Sequence, residues 1–242
     1  MVKCFKIECL TNLHVGSGEN NYNIVDKEVE KDPILGTPTI HASGIKGALR
    51  EHLKARNFDW VSEAFGVAMT RDAADFAFGK LKILSANLLA MPMRASDGKA
   101  LYYMVSTNEL LDTFHNLNKA FSIDCSIVPG DGQQVQAEGK NCLLSDQKVP
   151  VLENRLALMD AADLKRIALP VIARNRIHGH KNLWYEELVP HKSVFYFYAI
   201  CQDAQLMEKF AEAICRETVQ LGGNASVGCG FTKISVIGGS AQ

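Results

Sequence analysis

The chain has 242 residues, 47% of them hydrophobic and 22% charged, a globular balance that suits one large domain or one domain with sizeable insertions. With 26 basic against 27 acidic residues the net charge is -1, which excludes a protein that holds nucleic acid by bulk positive charge; any such role must rest on local basic patches or on backbone contacts. The seven cysteines (Cys4, Cys9, Cys125, Cys142, Cys201, Cys215 and Cys229) are odd in number and contain no C-x-x-C, so they read as reduced, buried thiols rather than zinc ligands. The N-terminus MVKCFKIECL does not have the form of a signal peptide, and no apolar run reaches the roughly 18 residues of a membrane span, so the expected location is the cytoplasm with no membrane partner.

In chain order, residues 2–10 (VKCFKIECL) alternate apolar and polar and predict a half-buried strand. TNLHVGSGENNYN reads as a loop, and the stretch to Gly44, punctuated by Pro33, Gly36 and Pro38, as irregular or hairpin structure. A helix is expected from Ser43 as N-cap, with Ile45, Ala48, Leu49, His52 and Leu53 at helical spacing; residues 60–65 extend it or form a second short helix. Residues 80–93 predict a strand ending at Pro92, 100–107 another strand, and 108–121 a helix. The polar, glycine-bearing stretch from 122 to about 158 reads as an insertion of short strands and loops, followed by a helix over 159–167. A hairpin is expected over 171–190 with its turn around His178 to Asn182, then a strand over 193–200, a helix over 204–220 capped by Asp203, a glycine-rich loop over 221–230 and a closing strand over 231–237. The order is α+β and compatible with one domain, a ferredoxin-like or RRM-like core carrying insertions.

Four segments carry candidate chemistry. In SGIKGALREHLK (43–54), Lys46, Arg50 and Lys54 lie four apart and stack in one stripe, while Ser43 and Gly44 sit at a helix N-terminus that favours anions. A solvated basic face gives the same spacing, but two glycines in the first turn weaken a helix and point to something pressed against them. In LGGNASVGCG (221–230), four glycines with Asn224 and Ser226 can present backbone N–H groups to a phosphate chain; the motif is neither a P-loop nor a dinucleotide fingerprint and does not follow a predicted strand. One or two glycines would suffice for a tight connection. In HVGSGE (14–19), Gly16, Ser17 and Gly18 are nest-like, and His14 is read as structural rather than as a general base. Asp26 follows in the same irregular stretch, and the residues alone do not distinguish it from Glu19, Glu28, Glu30 or Asp32. Finally, 165–192 holds Lys165, Arg166, Arg174, Arg176, Lys181 and Lys192 around Trp184 and Tyr185, against only Glu186 and Glu187, a pattern suited to a hairpin that contacts nucleic acid. The two histidines of His178–His180 are too few to define a metal site.

In this order, LHVGSG (13–18), IVDKEVEKD (24–32), G-x-P-x-I-x-A-S-G-I-K-G-A-L-R (36–50), LLAMPMRASDGKALYYMVST (88–107), NLWYEELVPHKSVFY (182–196) and LGGNASVGCGF (221–231) resemble the RAMP superfamily of CRISPR-associated proteins. The resemblance is nearest to backbone subunits of type III-B (Cmr) effector complexes, with the sister Csm complex sharing the Asp loop and the basic helix. It implies an RRM-like core with a protruding thumb hairpin at about 171–190, copies stacked along a CRISPR guide RNA beside other Cmr-type subunits, and divalent-metal-dependent (Mg or Mn) cleavage of paired target RNA at regular intervals. It further implies that Asp26 is the catalytic and metal-binding residue. The implied RNA contacts are His14, Gly16, Ser17, Ser43, Gly44, Lys46, Arg50, Lys54, Arg174, Arg176, Gly222, Gly223, Asn224 and Ser226. Ala225 stands where some relatives carry an acid. The alternative within the same resemblance is a guide-RNA-binding scaffold that does not cut.

Overall fold

The computed structural model describes residues 1–16, 25–67, 77–129, 132–176 and 182–238, without the side chains of Arg176 and Asn182. In chain order it runs β1 (Val2–Cys9), β2 (Thr39–Ile40), α1 (Ala42–Lys54), α2 (Val61–Phe65), β3 (Gly66–Val67), β4 (Ala77–Phe78), β5 (Lys82–Ile83), β6 (Ala86–Arg94), β7 (Tyr102–Ser106) and α3 (Asn108–Ala120). There follow β8 (Gly132–Ala137), β9 (Lys140–Val149), β10 (Asn154–Met159), α4 (Ala161–Arg166), β11 (Val171–Arg176), β12 (Asn182–Glu187), β13 (Val194–Ile200), α5 (Ala204–Arg216), β14 (Thr218–Gln220) and β15 (Phe231–Ile237).

The mixed α+β fold is organised on one large, mostly antiparallel sheet in the order β14-β15-β1-β13-β6-β7-β10-β9-β8, with β2 on β6 and β5 on β13. Only the β7–β10 pair on this path is parallel. The centre of the sheet is buried on both faces, which explains the near-continuous apolar run VFYFYAI of β13. Alternation sorts it: Phe195, Phe197 and Ala199 join a core with Phe5 and Ile7 of β1, Ile45, Leu49 and Leu53 of α1, and Phe210 and Ile214 of α5. Val194, Tyr196 and Tyr198 face the other way, against Leu111 and Phe114 of α3. There the Tyr198 hydroxyl finds a partner, Oη donating to Asn118 Oδ1 at 2.7 Å, while the buried Tyr196 hydroxyl has none within normal hydrogen-bond geometry among the described residues.

Several expected boundaries move. His41, not Ser43, caps α1, since the Ser43 N–H and hydroxyl both donate to His41 Nδ1 (3.3 and 2.8 Å). The 80–93 strand divides into β5 and β6, and β6 continues through Pro92 to Arg94; pairing with β13 has already stopped at Ala90, so that side tolerates the missing proline N–H. Residues 132–159 form three strands that lengthen the main sheet instead of short strands and loops. Val135, Ala137, Cys142 and Leu144 bury one face while Gln134 and Gln136 lie on the other, and the exposed Gln133 breaks the alternation on the buried face. Met159 closes β10, and Asp160 caps the following helix α4. Helix α5 has its Asp203 cap but ends at Arg216, because the β-branched Thr218 and Val219 pair with β15.

Phe210 is fully buried, edge-on to Phe5 at 5.8 Å and to Phe65 at 6.1 Å. Phe210→Ala is expected to destabilise the fold by about 3–5 kcal/mol, read as a lowered urea midpoint with an unchanged slope.

Candidate functional site

Strands β11 and β12 pair antiparallel from Val171 with Glu187 to Arg176 with Asn182, forming a separate two-stranded ribbon. Consecutive residues of a strand point to opposite faces, so the adjacent acids Glu186 and Glu187 cannot share one environment. Both are buried, Glu186 completely. The Glu186 carboxylate accepts from Arg174 Nε (2.5 Å), Trp184 Nε1 (2.7 Å), Asn224 Nδ2 (2.8 Å) and Lys27 Nζ (3.2 Å). Burial alone would push its pKa up; the hydrogen bonds from Trp184, Arg174 and Lys27 outweigh burial and hold it down at about 2. Glu187 accepts from the Val29 N–H and from Lys31 Nζ, both at 3.0 Å. Its own carbonyl accepts from Nδ1 of the buried His14 at 2.8 Å.

Asp26 lies on the free edge of β12. The N–H groups of Asp26 and Lys27 both donate to the Tyr185 carbonyl (3.1 Å each), and the Tyr185 N–H donates to Asp26 Oδ2 at 2.8 Å. A parallel bridge between Lys27 and Glu186 and the Glu187 N–H to Lys27 carbonyl bond (2.9 Å) continue the pairing. The half-buried Asp26 is therefore carried by the hairpin's backbone. Among the described residues no group of three or more His, Cys, Asp or Glu side chains is placed to hold a metal ion. A single carboxylate still fits magnesium in its substrate-assisted mode, where one or two carboxylates act together with a substrate phosphate.

The glycine-rich loop follows a strand after all, joining β14 to β15, and much of its hydrogen bonding is internal. The Gly223 N–H donates to the His14 carbonyl (2.9 Å), those of Val227 and Cys229 to the Asn224 carbonyl (3.1 and 3.2 Å), and that of Gly230 to the Asn12 carbonyl (2.8 Å). Gly222 and Gly230 sit at φ of +74° and +81°, and a Cβ there would meet the His14 and Leu221 carbonyl oxygens at 2.3 and 1.9 Å. Two of the four glycines are thus required by the fold whether or not a ligand binds, and the Asn224 side chain donates to Glu186. Ala225 and Ser226 remain exposed on the short turn at the loop's tip.

The predicted basic contacts divide. Arg174 is mostly buried, with its Nε on Glu186 and its Nη2 3.6 Å from Cys229 Sγ, so it braces the hairpin rather than offering a free cation. Trp184 is likewise engaged, with the Lys27 ammonium 5.4 Å over its ring. Lys165 packs along Gly36, Arg166 lies 3.8 Å from Asp163 and Lys192 sits over Tyr102, so these residues do not line up as one basic stripe. The hairpin's open face carries Val171, Leu183 and Tyr185 instead. On α1, Ser43, Gly44 and Lys54 are exposed and Lys46 and Arg50 half-buried; among the described residues the three cations make no ion pair. A Cβ at Gly44 or Gly47 would meet nothing within 4 Å among the described residues beyond α1's own backbone. Ser17, Lys181, His178 and His180 lie outside the described residues, as does the Arg176 side chain. His14, Gly16, Asp26, Arg174, Gly222, Gly223 and Asn224 come together around the two glutamates, whereas no hydrogen bond among the described residues ties α1 to them. Sequence reasoning passed over Glu186, Glu187 and Lys27. The available signal was two acids side by side in a strand whose next residues, Leu188 and Val189, are apolar.

The model of the RAMP superfamily matches residues 6–233. The chain belongs to the RAMP superfamily. This RAMP protein is 24% identical to the CRISPR system Cmr endoribonuclease Cmr4 of Pyrococcus furiosus over 94% of its own length and 92% of the relative's. It is also 24% identical to the CRISPR system CMR subunit Cmr4 of Saccharolobus solfataricus, over 96% of each chain. Its fold matches a chain in the type III-B Cmr-beta complex bound to cognate target RNA (TM-score 0.79, 23% identity, 98% of this chain and 97% of that one). It also matches oligomeric Cmr4 from Pyrococcus furiosus (TM-score 0.72, 21% identity, 98% of each).

A carboxyl held near 2 in the folded state and at 4.5 otherwise contributes stability that is fully present above the higher value and is lost as pH falls through the lower one. Urea unfolding of wild type and Glu186→Gln should therefore differ most near neutrality, and the gap should narrow by about 3 kcal/mol as pH falls through that window.

Proposed function

We propose that this chain is a backbone subunit of a type III-B CRISPR effector complex, binding guide RNA and cutting the paired target RNA beside Asp26. The observation that carries this reading is the Tyr185 N–H bond to Asp26 Oδ2, which fixes a loop carboxylate to the edge of a hairpin. A hairpin that displaces a nucleotide from the guide–target duplex would bring Asp26 with it. β15, β1, β13 and β6, with α1 following β1 and α5 following β13, are read as the RRM-like core beneath that hairpin. The names of the relatives, an endoribonuclease and a Cmr complex bound to target RNA, support it, and the oligomeric Cmr4 structure supports copies stacked together; assembly beside other Cmr-type subunits in the cytoplasm is part of the same proposal.

RNA supplies its own nucleophile. With the nucleotide displaced, its 2′-oxygen attacks the adjacent phosphorus, the bond to the 5′-oxygen breaks, and a 2′,3′-cyclic phosphate and a 5′-hydroxyl result. Alignment of oxygen, phosphorus and leaving group provides much of the rate. The Asp26 carboxylate accepts the proton that the 2′-hydroxyl loses, and water supplies one to the departing 5′-oxygen. A divalent ion, held there by Asp26 and the RNA phosphate, would offset the charge that builds on the phosphate. The exposed face of Leu183 and Tyr185 suits the displaced base step, and the open Gly44 and Gly47 with Lys46, Arg50 and Lys54 suit the guide's phosphates.

The same Tyr185 bond also favours a second reading, in which Asp26 only anchors the loop of a scaffold that does not cut. The two readings separate by substitution. Asn keeps the side-chain oxygen that receives the Tyr185 N–H but not the charge, whereas Ala removes both. In a reconstituted complex with guide-complementary RNA and Mg²⁺, Asp26→Asn is expected to assemble normally and to lose about 100-fold or more in cutting rate. Target left intact by the wild-type complex as by Asp26→Asn, with the RNA still bound, would leave the scaffold.

A further inference from the structure

Glu186 collects donors from four separate pieces of chain: Lys27 beside Asp26, Arg174 on β11, Trp184 on β12 and Asn224 in the glycine-rich loop. A fully buried carboxylate is an expensive way to fill space, since apolar residues of the same volume stabilise a fold at least as well. What such a centre adds is a fixed mutual position for its donors, provided every member is satisfied. Lys27 is the informative arm. Its side chain is 47% exposed, yet it reaches back over the Trp184 ring to the carboxylate. The residue before it is Asp26.

We propose that Glu186 is a positioning residue that acts on Asp26 through Lys27, locking the Asp26 loop, the hairpin and the glycine-rich loop into one unit so that the carboxylate meets the displaced nucleotide in a single orientation. This inference deepens the cleaving reading and rests on it. A displacement of the carboxylate by about 1 Å is enough to cost around a hundredfold in rate, without any loss of RNA binding.

Single-turnover cutting per assembled complex, measured alongside target affinity, is the test. Lys27→Met removes only a half-exposed arm and should leave folding and affinity unchanged, while the rate falls about tenfold or more. Lys27→Arg, which keeps a cation within reach, should recover the rate to within about threefold. Glu186→Gln should lose at least as much as Lys27→Met, and the double variant no more than Glu186→Gln alone, because both cut the same link. If Lys27→Met and Glu186→Gln complexes cut at the wild-type rate while Asp26→Asn does not, the positioning role is wrong and the cleaving reading stands. If wild type shows no Asp26-dependent cutting, the cleaving reading falls and this inference falls with it. Hydrogen exchange on the full chain then still separates the mechanical link from the catalytic one. In Glu186→Gln the amides of Lys27, Tyr185 and Cys229 should speed up together if the three segments are one unit. Acceleration confined to one segment would overturn the coupling itself.

Discussion

A carboxylate removed from water stays ionised only if enough donors replace its hydration, and Glu186 meets that condition with hydrogen bonds from Lys27, Arg174, Trp184 and Asn224. Without it the two cations, Lys27 and Arg174, would repel each other at this point. Two cations and two neutral N–H groups are drawn to one point, and the chain segments that carry them follow. Its neighbour Glu187, facing the other way, takes the Val29 amide and Lys31, and so fixes the other end of the Asp26 loop. The dipeptide is thus a two-sided clamp at the base of the hairpin.

The large sheet supplies the rigid ground for this clamp. Val189 pairs with Leu13 just past the hairpin, and a short connection joins Leu13 to Cys9 at the end of β1, a central strand. The glycine-rich loop closes from the other side, its Gly223 N–H on the His14 carbonyl and its Gly222 so close to that carbonyl that no side chain fits. The glycines read at first as a phosphate nest are partly explained by this closeness. Those on α1 are not, because among the described residues nothing lies within 4 Å of a Cβ there.

Much of the fold was legible in sequence. The strand VFYFYAI, the last helix with its Asp203 cap, and the α+β order follow from local pattern, which is a matter of side-chain periodicity and capping chemistry. The strands of 132–149 were less visible because glutamines occupy their solvent face, and the end of α5 because three residues of a strand adjoin it without a break. The family motifs carried Asp26, but the residues alone did not, since one acid in a polar loop has no distinguishing spacing. The hub was missed for a different reason. Arg174, Trp184 and Glu186 are close in sequence and read as a basic, aromatic hairpin. That the arginine and tryptophan turn inward onto the glutamate depends on Lys27 and Asn224, which are distant in sequence.

The central claim is that the hairpin delivers Asp26 to a displaced target nucleotide. Its most direct test is a high-resolution structure of the assembled complex on a guide–target duplex, with a 2′-deoxy substitution at the cut position to keep the target whole. The Asp26 carboxylate is expected within hydrogen-bond reach, directly or through one ion or water, of the 2′-position or its phosphate, with the β11–β12 hairpin inserted beside it. A target strand that passes the hairpin with Asp26 turned away, still bound only to Tyr185, would contradict the claim.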